Sequence, residues 1–333
     1  MQYRRLGKTE LNVSVIGFGA SPLGNVFDDC DESEGIRSVH CAIDLGINFF
    51  DVAPFYGITL AETRLGDALK GKRNDILLAT KCGRYGLRDF DFSYQRILDS
   101  ADESLKRLKT DYVDLMQLHD IEFGSKEQVL NEAIPALQKI KASGKARFVG
   151  ITGLPVRYLA AIAREVEVDT VLSWAHYNLL QDEINAELVP LCQQKDMGLM
   201  NAAPLVQRIL SDASIPAWHN APVELQAIQA PLLECCKKYG VALSDVAIRY
   251  AIDHPFIATT VIGMCDQNNV KKNIGVLEFS IPEGLLDEIN QLVAPVKNTM
   301  WYEGMPENNI SRKNPYDESF VFDRCRRNSH PRN

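Results

Sequence analysis

The feature that most constrains the fold is an alternation of short apolar runs with amphipathic segments along most of the chain. Eight runs have the length and the β-branched or aromatic content of buried strands. In chain order they cover residues 13–19, 48–53, 76–81, 112–119, 147–152, 170–177, 198–205 and 259–263. The segments between them have helical periodicity, as at Ile36, Val39 and Ile43, which share one helix face.

Strands that each lead into a helix form parallel βα units, and eight such units close a (β/α)8 barrel. A doubly wound sheet divided over two domains is the alternative, but no Gly-, Ser- or Pro-rich linker divides the chain. We therefore predict an α/β fold with a single TIM barrel over residues 1–305 and a β-hairpin in "YRRLGKTELNVSV" at its floor. Periodicity is lost in the C-terminal extension 306–333, which we expect to be an extended arm or a disordered tail.

The composition excludes several classes of protein. An apolar fraction of 46% and a charged fraction of 24% are typical of a soluble globular protein, and the formal charge of −8 disfavours nucleic acid as a partner. No apolar run is long enough to span a membrane, and "MQYRRLGKTE" has no apolar region of a signal peptide. We expect a cytoplasmic protein that is a monomer or a weak homo-oligomer and binds a small molecule.

The cysteines point to neither a metal site nor a disulfide framework. The chain has 8 of them, without a CxxC motif and without the Cys/His spacing of a zinc site. Reduced and mostly buried thiols are the expected state in a cytoplasmic protein. We therefore predict no structural metal and no disulfide.

Polar residues stand at the ends of three neighbouring strands of the predicted barrel, which is where reactive groups of such barrels lie. The second strand ends near Asp51, with Tyr56 in the loop that follows, the third ends in Lys81, and the fourth ends in His119. Period-two alternation allows the three strand residues to face the barrel axis together. Each alone has an ordinary structural role, such as a cap, a solvated lysine or loop packing. In combination the four predict an acid/base site.

The chemistry of that site follows from the tyrosine. A tyrosine hydroxyl has a pKa near 10, so it acts as a base at neutral pH only if a cation favours the phenolate. Lys81 would supply the cation, Asp51 would hold the ammonium, and His119 would orient a substrate oxygen or relay its proton. Because no activated nucleophile and no metal accompany them, we expect hydride transfer on a bound nicotinamide to complete the reaction.

Several longer strings resemble the successive motifs of a known family. "FFDVAPFYG", "LLATKCG", "DYVDLMQLHD", "KARFVGITG" and "VIGMCDQNNVKKN" are similar to those of the aldo-keto reductases, (β/α)8 barrels that bind NAD(P)(H) without a Rossmann domain. The resemblance covers the chain up to about residue 302. It implies that Asp51, Tyr56, Lys81 and His119 are the catalytic tetrad of that family.

The resemblance also implies a set of cofactor contacts. They are Gly19, Ala20, Thr152, Ser173, Ala203, Leu205, Gly263, Met264, Asn269 and Asn273. "GFGASPLG" is not a dinucleotide fingerprint, because Pro22 stands where the third glycine is needed. Two departures concern the nicotinamide: Gly153 replaces an asparagine that holds the carboxamide in many relatives, and Ala202 and Ala203 replace a stacking aromatic residue. Trp174 is a candidate for the missing stacking surface.

The same resemblance predicts NAD as the cofactor. Relatives that take NADP bind its 2′-phosphate with Lys or Arg near the start of "VIGMCDQNNVKKN" and again before its closing Asn. Here 263–265 and Asn269 are uncharged, and Asp266 lies among them. A phosphate without its charge-assisted hydrogen bonds is disfavoured. The basic residues that remain as alternatives are Lys271, Lys272 and Arg208.

Further strings are similar to one branch of the family, which oxidises aldoses such as L-galactose or L-fucose at C1. They include "GFGASPLGNVF", "TKCGRYG", "PAWHNAPVEL" and "APVKNTMW". This similarity implies NAD-dependent oxidation of an aldose, most specifically L-galactose to L-galactono-lactone, with Asp120, Glu122 and Trp218 as sugar contacts. The alternatives are an NADPH-dependent carbonyl reductase and a regulatory barrel subunit that acts by binding.

Overall fold

The computed structural model describes residues 1–309 and contains a closed barrel of parallel strands. The barrel order is β10-β3-β4-β5-β6-β7-β8-β9, and β1 and β2 form a separate antiparallel pair. The strands are β1 (Tyr3–Arg5), β2 (Asn12–Ser14), β3 (Ile16–Gly19), β4 (Phe49–Asp51), β5 (Leu77–Cys82), β6 (Val113–Leu118), β7 (Ala146–Gly153), β8 (Thr170–Trp174), β9 (Gly198–Ala202) and β10 (Thr259–Gly263). The predicted barrel of eight strands is therefore confirmed, and most of its strands are shorter than the apolar runs.

Helices cover the outside of the barrel and connect successive strands. They are α1 (Glu32–Asp44), α2 (Leu60–Ala68), α3 (Tyr94–Leu108), α4 (Lys126–Gln128), α5 (Ile134–Ala142), α6 (Val156–Glu165), α7 (Ile184–Glu187), α8 (Val189–Lys195), α9 (Val223–Ala227), α10 (Gln229–Lys238), α11 (Leu243–Ile252), α12 (Gln267–Gly275) and α13 (Leu285–Val293). A π-helical turn, Val129–Ala133, joins α4 to α5. In α3 one face is buried, as Ile97 and Leu108 show.

The N-terminal hairpin is present as predicted, but the apolar run 13–19 is divided between it and the barrel. Val15 lies at the division, because its N–H donates to Gln2 while its carbonyl accepts from Thr260 of the barrel. At the tip, Gly7 has φ +50°, and a Cβ there would lie 2.3 Å from the Gly198 nitrogen. The hairpin thus packs directly on the start of β9.

The barrel interior changes from apolar to polar along its axis. Its lower part is filled by buried side chains from alternate positions of the strands, among them Phe49, Ala79 and Leu115. Two residues further along their strands, Asp51 and Lys81 are also buried. Period two therefore carries the polar side chains to the C-terminal end of the same interior.

The chain after α13 returns to this C-terminal end. Trp301 is buried, the Met305 N–H donates to the carbonyl of Glu122 at 2.8 Å, and Asn308 Nδ2 donates to the carbonyls of Glu122 and Gly124 at 2.9 Å. Residues 306–309, the described part of the predicted extension, thus pack on the loop after β6. Residues 310–333 lie outside the described part of the chain.

Residues 1–309 contain no helix that is both long and apolar enough to cross a bilayer. In the same part of the chain, no group of three or more His, Cys, Asp or Glu side chains could hold a metal ion. Its cysteines are all free thiols, and Cys325 belongs to the segment outside the description.

Candidate active site

The structure brings Asp51, Lys81 and Tyr56 into one hydrogen-bonded chain at the C-terminal end of the barrel. Lys81 Nζ donates to Asp51 Oδ1, to the carbonyl of Val52 at 3.0 Å and to the Tyr56 hydroxyl at 3.2 Å. The strands place these groups: β4 ends at Asp51, β5 carries Lys81, and Tyr56 lies in the turn after β4. The ammonium therefore bridges the acid and the phenol.

His119 completes the group from the first position after β6. Its N–H donates to the carbonyl of Cys82 at 2.8 Å, which fixes the backbone against β5. The imidazole meets the Tyr56 ring edge to face, with centroids 5.6 Å apart and planes at 85°. Its Nδ1 is buried without a hydrogen-bond partner in the described part of the chain. All four predicted tetrad residues thus converge, and an imidazole nitrogen remains available for further bonding.

Charges within the tetrad are set by burial and by the ion pair. Burial favours a neutral amine, but Asp51 and Tyr56 outweigh it and raise the pKa of Lys81, so the ammonium persists. Burial raises the pKa of Asp51, and the Lys81 charge opposes that rise. Gln117 donates its Nε2 to Asp51 Oδ2 at 3.1 Å and supports the ionised form. The pair therefore fixes the Lys81 ammonium beside Tyr56.

The protonation of Tyr56 differs from the sequence expectation. Burial raises the pKa of Tyr56, Lys81 only partly offsets this, and the nearby carboxylates of Asp51 and Asp120 raise the pKa further. The resting hydroxyl is a neutral phenol, whereas the sequence suggested that Lys81 would favour the phenolate. Burial also lowers the pKa of His119 to about 3, so its imidazole is neutral at physiological pH.

An ion pair that sequence reasoning missed lies beside the tetrad. Arg84 Nη1 donates to Asp120 Oδ2 at 2.5 Å, and the same carboxylate oxygen is 3.6 Å from His119 Nε2. Burial disfavours the charged form of Asp120, whereas the positive charges of Arg84 and Lys81 favour that form and lower the pKa of the carboxyl. Asp120 is therefore an ionised acceptor next to the imidazole.

Small residues line the strand ends next to the tetrad, where the cofactor contacts are predicted. Gly19 is paired in register with Asp51 on one side and with Gly263 on the other. Gly263 is exposed, and Ala202 and Ala203, at the end of the adjacent β9, are half-buried. This run of small residues begins beside Asp51, and its accessible part, Gly263, Ala202 and Ala203, presents no bulky side chain to a flat nicotinamide ring.

The other predicted cofactor residues fall into two groups. Several lie at the same rim: Ala20 donates its N–H to the Asp51 carbonyl, Met264 donates its N–H to the Gly19 carbonyl, and Leu205 follows β9. Thr152 also faces the interior, where its Oγ1 accepts from the Asp120 N–H at 3.0 Å. Further out, Asn269 lies in the first turn of α12, and Asn273 is buried in that helix.

Ser173 is not brought to the tetrad. Its neighbours Leu172 and Trp174 pack among the apolar side chains of the barrel interior, whereas Val171 packs between the barrel and the helices. Alternation therefore puts Ser173 on the helix side of β8. The strand geometry thus does not support the predicted cofactor contact, since Trp174 takes the inward position.

Two predicted sugar contacts have different surroundings. Trp218 packs on Phe27 with ring centroids 5.8 Å apart and links the loops after β9 and β3. Glu122 is completely buried, and its Oε1 accepts from the Leu154 N–H at 3.0 Å. Burial and the charge of Asp120 raise the pKa of Glu122 well above its usual range. The Glu122 carboxyl therefore supports the loop after β7.

The loop after β9 is held in an unusual conformation over this rim. Val206, Gln207 and Arg208 are consecutive residues in the left-handed region, with φ of 46°, 49° and 85°. This conformation is strained for a β-branched residue such as Val206. Arg208 forms an ion pair with Asp28 of the loop after β3. Tertiary contacts between the two loops thus stabilise this backbone.

Comparisons with known proteins agree with the geometry. The family model described as "Aldo/keto reductase family" matches residues 15–294. L-galactose dehydrogenase of Arabidopsis thaliana is 41% identical over 318 residues, covering 92% of this chain and 99% of that protein. D-threo-aldose 1-dehydrogenase of Pseudomonas sp is 28% identical over 308 residues, covering 84% and 94%.

The fold comparison leads to the same family. The holo structure of aldo-keto reductase AKR11C1 from Bacillus halodurans matches with a TM-score of 0.74 at 28% identity, and the match covers 91% of this chain and 98% of that one. The family model spans most of the chain, and the fold agrees with it. The chain belongs to the aldo/keto reductase family.

Proposed function

We propose that the protein oxidises an aldose at C1 with NAD, with L-galactose as the preferred sugar and L-galactono-lactone as the product. One observation carries the chemistry: a single buried ammonium, Lys81, donates to both Asp51 and the Tyr56 hydroxyl. The choice of an aldose is supported by the relatives named L-galactose dehydrogenase and D-threo-aldose 1-dehydrogenase.

In this proposal Tyr56 moves the proton. The phenol first loses its proton to solvent, and Lys81, 3.2 Å away, stabilises the phenolate. The phenolate then accepts the proton of the C1 hydroxyl while His119, which is neutral, orients the hydroxyl oxygen by a hydrogen bond. A bound nicotinamide supplies the hydride acceptor for the hydrogen that leaves C1. The nicotinamide would be held by residues at the strand ends, namely Gly19, Ala20, Thr152, Ala203 and Gly263.

The preference for NAD rests on the start of α12. Asp266 Oδ1 accepts from the Asn269 N–H at 2.8 Å, and Glu34 Oε1 accepts from the Gln267 N–H at 3.0 Å. A helix N-terminus binds phosphate through such N–H groups. Here two carboxylates already occupy them, so a 2′-phosphate at this end would meet negative charge.

The basic residues that could compensate are engaged elsewhere or face away. Lys272 Nζ donates to Ser244 Oγ at 3.0 Å, and Arg208 is paired with Asp28. Lys271 is exposed and lines a cavity of about 300 Å³ between α1 and α12. These positions favour NAD over NADP.

Polar and aromatic side chains around the tetrad support a sugar as substrate. Asp120 offers an ionised acceptor, Trp218 offers a ring face, and Glu122 shapes the adjoining loop. A site that pairs its buried polar groups with substrate hydroxyls discriminates strongly against substrates without them. We propose these residues as the basis of sugar selectivity.

Steady-state turnover with both cofactors tests the proposal. L-galactose with NAD should give the highest kcat/KM, with L-fucose and D-arabinose as weaker substrates. An aromatic aldehyde with NADPH that outperforms every sugar would identify a carbonyl reductase instead. Cofactor binding without turnover of any of these substrates would favour a regulatory subunit.

A further inference from the structure

Arg84 connects three loops around the catalytic tetrad. Its guanidinium carbon lies 3.9 Å from the ring centroid of Phe55, which precedes Tyr56, and 4.8 Å from that of Phe123 in the loop after β6. The residue is 8% exposed, and its Nε has no hydrogen-bond partner in the described part of the chain. A cation that is buried this completely needs a carboxylate nearby, because burying an unpaired charge is costly.

That carboxylate is Asp120, and its position is unusual. Asp120 has φ 51°, in the left-handed region, which Asp adopts more readily than most side chains other than glycine. Its Oδ2 accepts from Arg84 at 2.5 Å and faces His119 Nε2 at 3.6 Å. The carboxylate therefore lies immediately beside the position of the reacting oxygen between Tyr56 and His119.

We propose that Arg84 is a positioning residue that holds the Asp120 carboxylate as the acceptor for the sugar hydroxyl on C2, the carbon adjacent to the reacting one. This inference rests on the proposed function and deepens it. Arg84 and Asp120 together select substrates with a hydroxyl next to C1. An aldehyde or alcohol without that hydroxyl leaves the buried carboxylate without a donor from the substrate.

Arg84 is needed because acidic groups surround Asp120. The positive groups that act on Asp120 are Arg84 and Lys81. His119 and Tyr56 are neutral. The neighbouring acids are Asp51, Glu122 and Glu303. Without the guanidinium, a buried carboxylate among these acids takes up a proton more readily. A protonated Asp120 loses most of its capacity to accept from the C2 hydroxyl.

The test compares L-galactose with 2-deoxy-L-galactose in Arg84→Met over roughly pH 5 to 9. Because the titration of Tyr56 affects both substrates equally, its pH dependence cancels in the ratio of the two kcat/KM values. In the wild-type enzyme the ratio should favour L-galactose by about 10- to 150-fold, the contribution of one charged hydrogen bond, and should be independent of pH. In the variant the ratio should fall towards one at low pH and rise with pH as Asp120 ionises.

Two variants separate positioning from structural support. Arg84→Lys keeps the charge and should restore a pH-independent ratio, whereas Asp120→Asn should keep the ratio low at every pH. Arg73→Met is the matched control, since Arg73 pairs with Asp114 at 2.9 Å and lies over the Tyr112 ring at the other end of the barrel. It should leave the ratio unchanged.

An unchanged, pH-independent ratio in Arg84→Met, with both substrates slowed equally, would overturn the inference. If Arg84→Met does not fold, a wild-type ratio in Asp120→Asn would overturn it as well. A wild-type enzyme that oxidises no aldose would instead contradict the proposed function. The same ratio would then be measured for reduction of glyceraldehyde and propanal with NADPH, where the loss of preference for glyceraldehyde in Arg84→Met still tests the role of Arg84.

Discussion

The two ends of the barrel each hold an Arg–Asp pair with a buried carboxylate, but only one of these carboxylates is fully hydrogen-bonded. At the N-terminal end, Asp114 accepts from Arg73 at 2.9 Å, from Arg147 at 2.6 Å and from the Leu78 N–H at 2.9 Å. At the C-terminal end, Asp120 has one short bond to Arg84, and its other oxygen has only a 3.4 Å contact with Thr152.

Some of the buried polar atoms without a partner lie around the tetrad. His119 Nδ1, Gln117 Oε1 and Arg84 Nε are buried without partners in the part of the chain that the structure describes. Buried polar groups are normally paired, because an unpaired one costs about 1–3 kcal/mol. The same residue types thus stabilise the fold at one end, while at the other they retain hydrogen-bonding capacity for a ligand.

The largest expected effect comes from the proton carrier. Tyr56→Phe should lower kcat by about 10²–10⁴-fold, because it removes the proton acceptor and keeps the ring that packs on His119. The dissociation constant for NAD should stay within a few-fold of the wild-type value. Tyr239→Phe is the control, since that hydroxyl donates to Glu288 away from the barrel interior. A variant at position 56 with half of the wild-type kcat would remove Tyr56 from the mechanism.

A substitution at the N-terminal end of the barrel should lower stability and leave kcat unchanged. Asp114→Ala leaves the guanidinium of Arg73 and the N–H of Leu78 without their acceptor, and should lower the free energy of unfolding by about 3 kcal/mol. Because Asp114 lies outside the site, kcat for the folded fraction should be unchanged. Urea unfolding and active-site titration measure the two quantities. A large loss of kcat with unchanged stability would contradict the division between the ends.

The pH dependence tests the protonation of Tyr56. Its pKa lies above the ordinary tyrosine value, and the form that accepts a proton is the phenolate. The rate of sugar oxidation should therefore rise with pH through the neutral and mildly alkaline range, by at most tenfold per unit. His119 should add no inflection near neutrality, because its pKa is lowered to about 3. A flat profile for oxidation would show that another group carries the proton.

The smallest effect concerns the cofactor. Asp266→Ser keeps a capping oxygen for α12 and removes a negative charge, so kcat/KM with NADP should increase several-fold while that with NAD changes little. Measuring kcat/KM for NAD and for NADP with the same sugar gives the ratio of the two values. An NADP preference already present in the wild-type enzyme would show that the start of α12 was misinterpreted.

Local periodicity was sufficient to predict the barrel and to place Asp51, Lys81 and His119 at one end of its interior. Asp51 and Lys81 lie two residues beyond apolar interior positions of their own strands, so alternation carried them to the same end. The same rule could have identified Gln117, which is two residues before His119 on the same face. It could also have excluded Ser173, which was predicted as a cofactor contact, since the interior position at the end of β8 belongs to Trp174.

The role of Arg84 could not be predicted in this way, because it depends on a turn. Gly83 has φ +99°, and a Cβ there would lie 2.6 Å from the Phe92 ring, so the chain reverses at this glycine. Arg84 is then held by a β-bridge to Phe90. The Glu303 carboxyl arrives from the far end of the sequence. Such contacts follow from tertiary packing, and periodicity contains no information about them.

The most direct test of the account is turnover of L-galactose carrying deuterium at C1, with NAD as the acceptor. We expect formation of L-galactono-lactone, transfer of the deuterium to the reduced cofactor, and a primary isotope effect on kcat/KM that persists while the rate rises with pH. Formation of reduced cofactor without the deuterium, or no turnover of the sugar with NAD, would contradict it.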